Sequence, residues 1–225
     1  MVVVVTGTGT GIGKTHFCEA LLLMAAREGL RAAGVKPIES GVASVDRSDA
    51  DRLRAASTFH VKPFGLAFPD SMSPHLAARL AGLPIQIDPI VATVDELRTA
   101  PDLLVIELPG GLFTPLAPPV LNVDLATALR PDVVLLVAPD RLGALHDVIV
   151  TVRAARAHPL VIDGVVLVTP REPDASTGRN AADIPSLTNG VAVAAELPWA
   201  PAPSIAADGT LRQYLFRRLR SARPT

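Results

Sequence analysis

The stretch MVVVVTGTGTGIGKT, residues 1–15, decides how the rest of the chain is read. Its opening run is four valines after the first methionine, which predicts a strand buried on both faces. The run ends in Gly7, Gly9, Gly11 and Gly13, and Lys14-Thr15 then opens the helical pattern THFCEALLLMAAREG, closed by Gly29 as its C-cap. A glycine-rich turn between strand and helix points successive backbone N–H groups inward, and the helix N-terminus adds partial positive charge. A lysine at that place reaches the β- and γ-phosphates of a nucleotide, and a threonine hydroxyl there can ligate Mg²⁺. The strict G-x-x-x-x-G-K-T spacing is missed by one residue, because Thr8 stands where its first glycine would be and Gly7 comes one earlier. A dinucleotide G-x-G-x-x-G cannot be placed on these four glycines. Residues 1–15 predict a nucleotide phosphate loop.

Downstream, short β-branched runs alternate with helical patterns. RAAGVKP reads as a strand cut by Pro37, residues 38–48 as a loop, and DADRLRAAS as a helix with Ser48 as its N-cap. SPHLAARLAG and DPIVATVDELRT read as helices with caps Ser73 and Asp88, each followed by proline. DLLVIE (102–107), DVVLLVAP, DGVVLV and GVAVAAEL read as strands, with VDLATALR and LGALHDVIVTVRAARAH as helices between them. Residues 170–190 and 198–211 read as surface loops, and RQYLFRRLRSAR as a terminal helix with a solvated arginine face. Such alternation predicts an α/β fold, a mostly parallel central sheet with helices on both faces, in one domain spanning 1–225.

Composition narrows the function classes. The chain is 49% apolar but 4% aromatic, as suits buried parallel strands and alanine-rich helices. A net charge of −1 argues against a nucleic-acid footprint. Cys18 is the one cysteine, expected in the core, so neither a disulfide framework nor a multi-thiolate metal site can form within the chain. No apolar run approaches a membrane span and no signal peptide is legible, so a soluble cytoplasmic protein is expected. Of the 21 basic residues only Lys14, Lys36 and Lys62 are lysines. A phosphate loop also needs acids for its metal. Glu107, ending an apolar strand before Gly110 and Gly111, is the better candidate, with Asp49 and Asp51 as others of which at most one serves.

Beyond the loop, the boxes GVKPIESG (34–41), RSDADRL (47–53), SPHLAARLAG (73–82), ELPGGLFTPL (107–116), LGALHDVIVT (142–151) and ELPW (196–199) occur in that order. Together with VTGTGTGIGKT they resemble the dethiobiotin synthetase family, P-loop enzymes that close a ureido ring on 7,8-diaminopelargonate using CO₂ and ATP. The resemblance covers roughly residues 3–200. It implies a catalytic role for Lys14 at the phosphates and for Lys36 at the substrate. It implies Mg²⁺ ligation by Thr15, Asp49 and Glu107. Nucleotide contacts are implied for Gly9, Thr10, Gly11, Ile12, Gly13, Lys14, Thr15, Val168, Thr169 and Pro198. Substrate contacts are implied for Thr10, Lys36, Ser40, Gly110 and Leu145, the last from the amino end of the LGALHD helix of a second subunit, hence a homodimer. The implied partners are small molecules: a diamino acid, CO₂ and the nucleotide, with ATP as co-substrate.

The chain departs from the family in places. ELPGG stands where the family writes Glu-Gly-Ala-Gly-Gly, and Pro109 removes a backbone donor. Val168, Thr169 and Pro170 replace an adenine-reading asparagine, which leaves nucleotide preference open. His146-Asp147 replaces Asn-His, and Glu39 puts a negative charge beside Ser40, either to help hold a diamine or to face solvent. Alternatives are a P-loop relative with a changed substrate and a nucleotide-gated regulatory protein. Partitioning ATPases of the latter class carry an early loop lysine where this chain has Gly9.

Overall fold

The computed structural model describes residues 1–42, 48–206, 209 and 211–214. Strand β1 (Val2–Gly7) feeds the glycine loop and helix α1 (Lys14–Arg27); β2 (Ala32–Val35) and the short β3 (Ile38–Ser40) follow. Then come α2 (Asp49–Ala56), β4 (Leu66–Phe68), α3 (Pro74–Ala81), α4 (Asp88–Leu97) and β5 (Leu103–Glu107). A small ribbon, β6 (Pro115–Ala117) and β7 (Val120–Leu121), precedes α5 (Asn122–Ala128) and β8 (Val133–Pro139). The order closes with α6 (Ala144–Ala155), β9 (Gly164–Val168), α7 (Ile184–Leu187), β10 (Ala192–Leu197) and α8 (Ala202–Ile205).

Six strands form a parallel sheet in the order β10-β9-β8-β1-β5-β2. The two-residue side-chain period of a strand explains why its residues are apolar throughout. Val2 and Val4 enter one core with α3, α4, α5 and α6, whereas Val3 and Val5 enter the other with α1, α2 and α8. The chain builds β2 and β5 on one side of β1, then crosses to place β8, β9 and β10 on the other. The carboxyl end of β1 is therefore a topological switch point, where open α/β sheets form their ligand crevice.

The expected α/β architecture is observed, with differences at element ends. Residues 38–40, expected in a loop, form β3, which pairs in parallel with β4 in a separate two-stranded sheet. Asp88 is the first helical residue of α4 rather than its cap, a place held by Ile87. Gly29 lies one residue beyond the cap Glu28, left-handed at φ 71°, and the N–H groups of Gly29 and Leu30 bond the carbonyls of Ala26 and Ala25. The stretches 170–190 and 198–211, expected to be loops, contain α7, α8 and a 3₁₀ turn at Asn180–Ala182, because apolar residues such as Ile184 and Ile205 anchor short turns in the core. Of the expected terminal helix, 212–223, residues 212–214 are helical and 215–223 lie outside the described residues, as do 207, 208 and 210 of the expected 198–211 loop and 43–47 of the expected 38–48 loop.

Helix α2 is seated by one side chain. Leu53 is its fully buried residue, and Gly34 on β2 permits the approach, since a Cβ there would lie 2.5 Å from Leu22 Cδ1 and 3.1 Å from Leu53 Cβ. Leu53→Ala is expected to lower stability by about 2–5 kcal/mol, measured as a reduced denaturant midpoint without a change in slope.

Candidate active site

The phosphate loop is shaped by close approach. A Cβ on Gly7 would lie 2.6 Å from Ile12 Cδ1 and 3.2 Å from the Val137 carbonyl oxygen. Gly13 caps α1 at φ 95°, a conformation that side chains other than hydrogen resist, with Val168 packed against it. Lys14 is 5% exposed and its Nζ donates to the Gly9 carbonyl at 2.6 Å. Burial lowers its pKa to about 8, against the opposing pull of Glu107.

Beside the loop, three strand ends converge on Glu107, which is 1% exposed. Its Oε1 accepts from the Thr15 hydroxyl at 2.9 Å and from Lys36 Nζ at 2.8 Å. Lys36 Nζ also donates to Asp49 Oδ2 at 2.6 Å. Burial pushes the Glu107 carboxyl up, with the Lys36 ammonium only partly offsetting it. For Lys36 burial works downward, yet Glu107 and Asp49 outweigh it and hold the ammonium well above its usual range. For Asp49 burial works upward, and Lys36 outweighs it to hold the carboxyl below its usual range. Asp49 itself is fixed by Glu39, whose Oε1 and Oε2 accept from the N–H groups of Asp49 and Ala50 at 2.7 and 3.1 Å. This corrects the expectation for Glu39: it is buried and satisfies the first N–H groups of α2 rather than facing a diamine or solvent.

The cleft above this cluster has a volume of about 620 Å³. Of the residues expected in the site it brings together Thr10, Gly11, Gly13, Lys14, Thr15, Lys36, Asp49, Glu107, Gly110 and Val168. Gly9 joins through its bond to Lys14. Ile12 folds back onto the α1-side core, and Thr169 spends its N–H on the Leu197 carbonyl. Pro198, Ser40 and Leu145 do not line the cleft: Ser40 donates to the Met72 carbonyl at 2.7 Å, and Leu145 packs on the opposite core. Asp51 is engaged by the Ser48 hydroxyl and Arg54 and does not line the cleft, whereas Asp49 does.

Sequence reading missed His16, Arg52, Trp199, Ala200 and Pro201, which complete the walls. Trp199, 65% exposed on the lip, was inside a matched box and could have been found as a lone large aromatic. It also missed Asn122. Its Nδ2 donates to the carbonyls of Pro109 and Gly111, and the Leu112 N–H bonds the Gly7 carbonyl at 3.0 Å, so the Pro-Gly-Gly turn is clamped onto the loop despite the lost donor.

The donors fit a hard divalent cation. Among the described residues no three His, Cys, Asp or Glu side chains converge in a metal-binding group. Two carboxylates and a hydroxyl do, and Mg²⁺ uses such a partial set, completing its shell with water and phosphate oxygens. Glu107 Oε2 is buried without a hydrogen-bond partner among the described residues, an acceptor whose desolvation a cation would offset.

A strand, glycine loop and Lys-Thr helix start at the switch point of a parallel sheet define a P-loop nucleotide-binding protein. A family model described as an AAA domain matches residues 1–204. An ATP-dependent dethiobiotin synthetase BioD of an Anaeromyxobacter species is 39% identical over 203 residues, 88% of this chain and 89% of the relative. The enzyme of that name from Ralstonia nicotianae is 41% identical over 71% of this chain and 72% of its own. Among solved structures, the MinC:MinD cell division complex of Aquifex aeolicus superposes with a TM-score of 0.63 at 14% identity, covering 100% of this chain and 97% of that one. A ParA family ATPase from Chlorobium tepidum gives 0.58 at 11% identity, covering 97% and 98%. Those two establish the fold alone. The chain belongs to the ATP-dependent dethiobiotin synthetase family, within the P-loop AAA domain family.

Because a methyl group on Gly7 would displace the Ile12 side chain and press on Lys14 and the Val137 carbonyl, Gly7→Ala is expected to weaken ATP binding about tenfold, roughly 1.4 kcal/mol, in titration calorimetry.

Proposed function

We propose that the chain carries out ATP-dependent ring closure of 7,8-diaminopelargonate with CO₂ to dethiobiotin, and that residues 1–225 act as one P-loop domain in the cytoplasm. The relatives' name supports the reaction. The observation that carries the reading is Lys36, a cation from the end of β2 that a phosphate loop alone does not require, held beside Thr15, Asp49 and Glu107 on the cleft wall.

The chemistry divides into steps that this arrangement serves. One amine adds to CO₂, losing a proton, to give a carbamate. A carbamate oxygen attacks the γ-phosphorus of ATP and ADP leaves. The second amine then attacks the carbamoyl carbon of the mixed anhydride, inorganic phosphate leaves, a proton is lost and the ring is closed. In the first transfer an anion approaches an anion, so fixed positive charge is the main requirement. The loop N–H groups and Lys14 hold the phosphates. Lys36, kept protonated by its two carboxylates, presents a compact charge toward the carbamate. Thr15, Asp49 and Glu107 would hold Mg²⁺, which when bound neutralises phosphate charge. Trp199, Val168 and Pro201 offer the base an apolar wall.

Ser40 and Leu145 lie off the cleft of one chain, and a second copy is the reading that gives Leu145 a role. Its helix, α6, exposes Val150 at 51%, and Leu142 in the turn just before the helix is 75% exposed, apolar surface that an identical subunit would cover. The negative charge of Asp147 near the helix start is offset by Arg141 at 3.6 Å. The amino end of α6 from that copy would then meet the substrate carboxylate.

The test is to combine protein, Mg²⁺, bicarbonate, the diamine and ATP, CTP or GTP, and weigh the product. The expected product is the diamine plus CO₂ less water, with phosphate released only when the diamine is present. Phosphate release without the diamine, or no adduct with any nucleotide, overturns the reading. Lys36→Ala is expected to lower adduct formation by about 10²–10³-fold, as for loss of one preorganised charge-stabilising group, with ATP affinity largely retained. Leu142→Asp is expected to convert a dimer into a monomer in analytical ultracentrifugation and to raise KM for the diamine more than KM for ATP.

A further inference from the structure

Asp49 is gripped from two sides. Lys36 takes Oδ2, and Arg52 Nη1 donates to Oδ1 at 3.3 Å from one turn along α2. An (i, i+3) pair on one helix would leave a long guanidinium free to swing. Arg52 is not free, because its Nε and Nη2 donate to Glu19 Oε1 and Oε2 at 3.0 and 2.6 Å, a planar fork onto a carboxylate. Glu19 stands on α1 one turn beyond Thr15. The two helices that carry Thr15 and Asp49 are therefore tied together by Glu19 and Arg52 beside those residues. On its other side Glu19 lies 3.8 Å from His16 Nδ1, whose Nε2 bonds the Ala200 carbonyl at 2.5 Å.

We propose that Glu19 and Arg52 are positioning residues that fix Asp49 relative to Thr15, so that the cation meets a preset pair of oxygens. The inference rests on the reading of Thr15, Asp49 and Glu107 as the Mg²⁺ site. Asp49 sits at the first turn of α2, where Glu39 accepts from its N–H and Lys36 holds its Oδ2. Loss of a hydrogen-bonded outer partner that orients a ligand typically costs about 10–100-fold in metal affinity. Arginine is required rather than lysine because three of its N–H groups are used at once, two on Glu19 and one on Asp49. The pair is partly exposed, Arg52 at 44% and Glu19 at 18%, so its loss should scarcely move folding stability. Metal affinity is then the readout that separates positioning from a structural role.

The probe is Mn²⁺, whose binding to the ATP-bound protein is read by electron paramagnetic resonance, alongside ATP affinity measured in EDTA. Arg52→Ala is expected to raise the Mn²⁺ Kd by about 10–100-fold, with thermal midpoint and metal-free ATP affinity little changed. Glu19→Ala is expected to act in the same direction, the double variant to be no worse than Arg52→Ala, and Arg52→Lys to recover only part. Unchanged Mn²⁺ affinity in both single variants overturns the proposal. So does a matching fall in ATP affinity in EDTA, which would make Arg52 a phosphate contact. Asp49→Asn separates the two levels: if it too leaves Mn²⁺ affinity unchanged the metal-site reading fails, whereas if only Asp49→Asn weakens binding the positioning role alone fails.

Discussion

The burial of one carboxylate organises this molecule. Glu107 ends a strand of four apolar residues and has almost no access to water, so its charge must be met by protein or by a cation. One oxygen is met by Thr15 from α1 and Lys36 from the end of β2; the other has no hydrogen-bond partner among the described residues. Replacing such a buried ionic cluster as a whole by hydrocarbon of similar volume is often neutral for a fold. That it is retained where three strand ends meet is intelligible if the cluster serves chemistry rather than stability.

The sheet makes the meeting possible. Parallel pairing puts the carboxyl ends of β1, β2 and β5 on one edge, in register from Val2 opposite Leu104 to Val5 opposite Glu107. Glu107 thus stands beside the residue that leads into the glycine loop. Helix α2 then brings Asp49 over β2 because Leu53 and the bare face of Gly34 let it come close. Two buried carboxylates, Glu107 and Glu39, divide the work. One gathers the cations, and the other satisfies the N–H groups that start α2.

The loop, the parallel strands and Glu107 were legible in the sequence because each is local: a valine run, glycine spacing, an acid closing an apolar strand. Ser48 as a cap was legible for the same reason, and its hydroxyl does accept from the Asp51 N–H. What was not legible depends on contacts distant in sequence. Three residues are too few for a periodicity, so β3 is specified by β4 rather than by its own pattern. Asp49 and Asp51 are two residues apart and look alike until the direction of α2 separates them. Asn122 lies more than ten residues from the turn it holds, in a segment with no motif. Arg52 and Glu19 are ordinary surface charges to a sequence reader, because only helix packing shows that they face each other.

The scarcity of lysine acquires a physical sense from the two that stand in the cleft. Both are buried, and burial pushes both ammonium groups toward neutrality. Lys36 has two carboxylates in contact and is driven the opposite way; Lys14 touches only a carbonyl and settles at about 8. The difference is the presence or absence of an anion within hydrogen-bond reach. A nucleotide phosphate arriving at the loop offers Lys14 what Glu107 and Asp49 already offer Lys36. The charge of one lysine is thus reinforced by the protein, and that of the other is reinforced when a phosphate arrives. A guanidinium titrates far above this range and would not respond in this way to its neighbours. Lys62 lines a neighbouring cavity together with Lys36 and Glu39 and has no comparable account in the structure.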